Sequence, residues 1–100
     1  MLFLTQLIYI KEGQEGLFHQ FEDIALPLIA KHNGQLLLRL RPDAAAFIGH
    51  QARRPYEIHV VQFTTEADFD NFQTDETRKQ FLHVKEQAVE TVLLIKGNKV

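Results

Sequence analysis

Apolar residues in this chain recur at two spacings, and the change from one to the other lays out its elements. Phe3 to Ile10 is rich in β-branched and aromatic side chains, with Gln6 set between apolar neighbours, which predicts a strand covered on both faces. Lys11 to Gly16 is polar, and Gly13 serves as N-cap for a helix running to about His32. Phe18, Phe21, Ala25, Leu28 and His32 return every three or four residues, with Ile24 and Ile29 beside them, so one stripe of that helix is apolar. Pro27 interrupts the stripe, removes the bond to the carbonyl of Asp23 and predicts a kink. Asn33-Gly34 supplies a left-handed stop.

Gln35 to Arg41 is a second strand, with Leu36, Leu38 and Leu40 on one face and Leu37, Arg39 and Arg41 on the other. The leucine face is expected to meet the helices. Pro42 ends the strand, and the stretch from there to Pro55 is long for a hairpin loop, with Phe47 and Ile48 able to continue the strand after a bulge. Ile58 to Phe63 is a third strand, introduced by Arg54-Pro55-Tyr56. Thr65-Glu66-Ala67-Asp68 then forms a capping box with Asp in place of the usual Glu or Gln, and Phe69 and Phe72 anchor the helix that follows. A further helical segment starts after Thr74 with Asp75 and Glu76 in its first turn, buries Phe81, Val84 and Ala88, and gives way to a last strand from Thr91 to Lys96.

The order strand, helix, strand, strand, helix, strand is that of an α+β, ferredoxin-like βαββαβ domain with a four-stranded antiparallel sheet, here spanning residues 1–100. The third strand is expected to be central. Helices cover one face of such a sheet, so the other stays open while still carrying residues such as Leu37, Ile8 or Val60. An apolar open face predicts a homodimer packed sheet to sheet, burying on the order of 800 Å² per subunit.

Composition narrows the chemistry. With 100 residues and 45% apolar content the chain can bury one core. It has no cysteine, which excludes disulfides, thiolate metal sites and a cysteine nucleophile, and points to a cytoplasmic protein. Met1 to Ile10 lacks a basic region and a long apolar run, so neither a signal peptide nor a membrane span is expected. The net charge of -2 hides two blocks: five basic residues against Asp43 alone between 31 and 54, and six acids without Lys or Arg between 57 and 76. Such blocks are usually solvated surface, or else an anionic-ligand or partner site. Nucleic acid is disfavoured, for no basic stripe with interleaved aromatics is present.

Among candidate site residues, Arg39 and Arg41 lie two apart on one strand face, where two guanidinium groups can converge on an anion. His59 is the one histidine within a central strand, and antiparallel pairing is expected to bring it near Tyr9, a pair suited to proton abstraction. The plainer alternative is a buried histidine with one hydrogen bond. Which face His59 takes depends on a register that the loop from 42 to 55 leaves free. Glu15, His19 and Asp23 follow one another at fourfold spacing, and His19-x-x-Glu22 is echoed by His83-x-x-Glu86, but neither His-x-x-x-His nor Glu-x-x-His occurs, so no metal and no cofactor are expected. His32 and His50 receive no role. Phosphate-loop, nucleophile-elbow and catalytic-triad patterns are absent.

Four stretches carry a family likeness: Pro27 to Gly34, Arg54-Pro55-Tyr56 running into Val60-Val61-Gln62-Phe63, Thr74 to Thr77, and Lys85 to Glu90 leading to Gly97. On these the chain resembles the bacterial proteins grouped as domain of unknown function 1330, in the dimeric α/β barrel superfamily. The resemblance implies a sheet paired across a homodimer, in a superfamily that includes cofactor-independent monooxygenases, haem-degrading enzymes and decarboxylases. Gln62 stands where that family usually has Glu, which removes an ionisable group from the strand.

The expectation is a homodimer with a mostly apolar pocket that binds or transforms a small organic or anionic metabolite, cofactor-independent oxygenase chemistry being the furthest reading. His59 and Tyr9 are the candidate catalytic pair, with Arg39, Arg41, Gln6 and Gln62 as substrate-binding groups. The alternative is a binding or assembly module without turnover. A cavity of a few hundred Å³ holding at least two of those polar groups separates the first from the second.

Overall fold

The computed structural model describes residues 1–49 and 53–100. His50, assigned no role from sequence, lies outside them. The chain runs β1 (Leu2–Ile10), α1 (Glu15–Lys31), β2 (Gly34–Leu40), a 3-10 turn at Ala44–Ala46, β3 (Glu57–Phe63), α2 (Glu66–Gln73), α3 (Glu76–Gln80), α4 (Leu82–Ala88) and β4 (Val89–Asn98). The strands form one antiparallel sheet in the order β2-β3-β1-β4, so the fold is ferredoxin-like α+β, with β1 sharing the centre with β3. Phe47 and Ile48 form no strand. Among the described residues no helix is long and apolar enough to cross a membrane.

Local chemistry sets most element boundaries. Thr65 accepts from the backbone N–H of Asp68, whose carboxylate accepts from the N–H of Thr65, closing the expected capping box. α1 continues through Pro27, which is exposed, and ends where Asn33 takes the left-handed conformation at φ 59°. The segment after Thr74 divides at Phe81 into α3 and α4. Asp75 caps α3 by accepting from the N–H groups of Thr77 and Arg78. Its other oxygen takes Lys31 at 2.8 Å and His32 at 2.7 Å, tying the end of α1 to α3. Those two partners hold the Asp75 carboxyl well below the usual range.

One irregularity decides what the sheet presents to the helices. Leu36 pairs with Val61 but Leu38 pairs with Val60, so Leu37 is an extra residue, a β-bulge. Before it Leu36 shares the helix-side face with Val61; beyond it Arg39 shares that face with His59, and Leu38 and Leu40 turn to the open face with Val60 and Ile58. The expected unbroken leucine face is therefore corrected. One inserted residue reverses side-chain direction, and it sits within three consecutive leucines where alternation cannot reveal it.

The core lies between sheet and helices in two parts. One gathers Leu2, Leu4, Ile29, Val61, Phe63, Phe69 and Phe72, with the Phe63 ring 5.5 Å from each of Phe69 and Phe72; the other gathers Ile8, Phe18 and Ala88. Between them β3 and α1 place charged side chains.

Candidate functional site

Glu57, His59, Val61 and Phe63 alternate on the helix-side face of β3 and are all buried. Facing them, Glu22 falls on the buried stripe of α1 between Phe18 and Ala25. Two carboxylates and an imidazole thus meet in the interior, and Arg39, turned inward by the bulge, balances them with Arg41. Arg39 Nε donates to Glu57 Oε1 and its terminal nitrogen to Glu22 Oε1, each at 2.8 Å; Arg41 Nε donates to Glu57 Oε2 at 2.8 Å. His59 Nε2 lies 2.5 Å from Glu57 Oε1 and 3.1 Å from Glu22 Oε2. Three of the four carboxylate oxygens have hydrogen-bond donors. Glu22 Oε2 is buried without one.

The surroundings drive the two carboxyls apart. Burial pushes Glu22 up; His59 and Arg39 oppose this, Glu57 adds to it, and the carboxyl ends above its ordinary range. For Glu57 burial acts the same way, but hydrogen bonds with His59, Arg39 and Arg41 outweigh it and hold the carboxyl far below its ordinary range. Burial depresses His59, yet its two carboxylate neighbours prevail and raise it. Glu57 is the fixed anion of the cluster, and Glu22 and His59 are the groups able to exchange a proton.

A cavity of about 310 Å³ separates the two halves of the core. Its walls include Leu4, Ile8, Phe18, Phe21, Phe69 and Phe72, and Gln6, Glu22 and His59 reach it from β1, α1 and β3. Arg78 and Lys85, from α3 and α4, are cations in the same wall. Among the described residues neither meets a carboxylate. The Arg78 guanidinium lies over the rings of Phe72 and Phe21, donates to the carbonyl of Gln73 at 3.2 Å, and leaves its Nε buried without an acceptor. Burial lowers the pKa of both, and for Lys85 the nearby Arg78 lowers it further.

No family model matches the chain, and no curated protein matches it. Solved structures do. A protein of unknown function from Rhodopseudomonas palustris superposes with a TM-score of 0.84 at 13% identity, over 99% of this chain and 82% of that one. A dimeric ferredoxin-like protein of unknown function from Jannaschia sp. CCS1 gives 0.71 at 16%, over 98% of each chain. A dabb family protein with a ferredoxin-like fold from Mesorhizobium loti gives 0.68 at 14%, over 99% and 96%. They share the fold.

Of the residues singled out from sequence, the structure brings His59 and Gln6 together as a directly paired couple across β3 and β1. Tyr9 does not join them. The partner of His59 is Gln6 and not a residue near Tyr9, and Tyr9 lies by Arg53, whose guanidinium is 4.6 Å from the ring and whose carbonyl accepts from the phenol. Gln62 alternates with His59 and Val61, so it falls on the open face, where it donates to Gln35. Arg39 and Arg41 converge on a carboxylate, and that carboxylate is Glu57 of the same chain. His19 bonds to Tyr56 at 2.7 Å, while Glu15 and Asp23 are exposed, so that helical trio does not assemble.

Among the described residues the set resembling a metal site is Glu22, Glu57 and His59, with one ligand atom from each inside 4.8 Å. A divalent cation there would have to displace guanidinium groups from oxygens they already occupy, so the donor set suits an internal ion-pair cluster better. Glu22 and Glu57 were legible in the sequence by the rule that found their neighbours. Glu22 is four residues after Phe18 and three before Ala25, and Glu57 is two before His59.

Proposed function

We propose that this chain is a homodimeric binding protein for a small organic acid, held in the cavity between sheet and helices. One observation carries the reading: Arg78 and Lys85, two cations that meet no carboxylate among the described residues, stand in the wall of a cavity otherwise dominated by aromatic and aliphatic side chains. Partial burial of two cations that meet no carboxylate among the described residues is unfavourable, and an anionic group on an apolar body supplies the missing charge. With Gln6 and His59 also in the wall, the cavity has two of the polar groups expected of a ligand site, which favours this reading over a pure assembly module. Proton transfer by His59 and Glu22 is the furthest extension, and in this reading Tyr9, Arg41 and Gln62 have no catalytic or ligand-binding part.

The dimer belongs to the same proposal. Leu7, Ile58, Val60, Leu38, Leu40, Leu93 and Ile95 share the open face by register, and Leu38, Leu93 and Ile95 are each about half exposed. A second copy is the natural occupant, since neighbours of this fold from Jannaschia and Bacteroides fragilis are described as dimeric. Kinship with domain of unknown function 1330 rests on the sequence likeness given above, and a cytoplasmic setting rests on the absence of cysteine. Calorimetric titration with a panel of monocarboxylic acids tests the binding reading: saturable heat from wild type that is lost in Arg78→Met with Lys85→Met supports it, and equal behaviour of both proteins overturns it.

A further inference from the structure

We propose that the acid bound in this cavity also carries a hydroxyl, phenolic, enolic or alcoholic, which docks against Oε2 of Glu22 and makes Glu22 the residue that selects hydroxylated acids. The inference deepens the organic-acid reading and rests on it. Its basis is the hydrogen-bond inventory of the buried cluster. Arg39 and Arg41 occupy both oxygens of Glu57 and Oε1 of Glu22, so those three atoms point at partners supplied by the chain itself. Oε2 of Glu22 is different: it has no donor among the described residues, and the residue it belongs to is 2% exposed and lines the cavity. His59 Nε2 stands 3.1 Å away but carries at most one hydrogen, and the shorter contact, 2.5 Å, is with Glu57 Oε1.

A buried carboxylate oxygen left without a donor is uncommon in folded proteins, and a ligand hydroxyl satisfies it. A second acidic group does not, because it would face Glu57, which Arg39 and Arg41 keep ionised. A metal ion would have to compete with the same two guanidiniums. Gln6, paired with His59 across the strands and also in the wall, can accept from or donate to the same hydroxyl and so fix its direction. The chemistry therefore defines a ligand with one anionic group for Arg78 and Lys85, an apolar and preferably aromatic body for the phenylalanines, and one hydroxyl for Glu22.

The test compares phenylacetate with its three ring-hydroxylated isomers by calorimetric titration of the wild-type chain. The expected result is that at least one isomer binds about tenfold or more tightly than phenylacetate, the size of a hydrogen bond to a charged group. In Glu22→Gln, Arg39 draws the amide oxygen and turns the NH2 into the position of Oε2, so the carboxylate acceptor is lost and the advantage of the hydroxylated isomer over phenylacetate is expected to shrink. If phenylacetate and all isomers bind wild type alike, the Glu22 contact is refuted and the anion pocket stands. If none of the four binds, the organic-acid reading fails and this inference falls with it. The wild-type comparison decides the matter even if the variant does not fold.

Discussion

Arg39 Nε donates to Glu57 Oε1 across 2.8 Å because Leu37 bulges out of β2 and turns Arg39 toward the helices. Without that extra residue Arg39, and Arg41 two residues on, would point to the open face, and Glu22 and Glu57 would be buried without the cations that now balance them. Arg39→Met is expected to lower stability by about 1–3 kcal/mol, less than for a fully buried pair because Arg39 is over a third exposed. Urea unfolding followed by circular dichroism measures this. An unchanged midpoint would show that the cluster contributes nothing to the fold.

His59 gives the cluster a pH signature. Around it stand Glu22 from α1, Glu57 from its own strand and Arg39 from β2. Its pKa is raised from 6.5, burial opposing and the carboxylates prevailing. A raised group contributes stability that is complete below 6.5 and is lost as pH rises through the folded value. Glu22, raised from 4.5, also loses its contribution as pH rises. Glu57, held below 4.5, contributes fully above that pH and loses its share on acidification. Wild-type stability is therefore expected to fall between mildly acidic and alkaline pH, with a smaller slope in His59→Gln. Parallel profiles would mean that His59 titrates as it does in the unfolded chain.

Gly34 lies where no side chain fits. A Cβ there would come within 2.6 Å of the Phe63 ring and 2.7 Å of Ile29 Cγ2, both buried in the core. Gly34→Ala is expected to cost about 1–3 kcal/mol through overpacking. For a domain of this size that corresponds to a fall in Tm of roughly 4–8 °C per kcal/mol in a calorimetric scan. A Tm at or above wild type would place the first residue of β2 elsewhere.

Leu38 and Leu93 test the second copy. Both stand half exposed on the open face, so a charge at either position should leave the subunit folded. Sedimentation is expected to show wild type at twice the chain mass at micromolar concentration, and Leu93→Lys with Leu38→Lys at the monomer mass with an unchanged circular dichroism spectrum. A monomeric wild type contradicts the sheet-to-sheet dimer.

Most elements of this fold were legible in the residue pattern. Phe18, Phe21 and Ala25 mark α1, the alternation from Ile58 to Phe63 marks β3, and Thr65 with Asp68 marks the start of α2. The faces of β2 were not, because Leu36, Leu37 and Leu38 are chemically identical and any of them could be the bulged residue. Register also separated His59 from Tyr9, since pairing across the sheet is a long-range choice that no local spacing records. One cavity cation had a visible signal: Lys85 is three residues before Ala88, the buried residue of α4, so the two share a helix face, whereas Arg78 lies beyond the break at Phe81. That neither Arg78 nor Lys85 meets a carboxylate among the described residues is a tertiary fact, visible only once α3, α4 and the sheet are in place.

Arg78 and Lys85 are the two cations on which an anionic ligand in this cavity depends. Calorimetric titration of a small aromatic monocarboxylate into wild type and into Arg78→Met with Lys85→Met, at matched concentration and pH, measures them directly. Saturable binding by wild type, reduced at least about tenfold in the variant, is the predicted result. Wild type that takes up no organic acid, or a variant that binds as tightly, would contradict the assignment of this cavity to an anionic ligand.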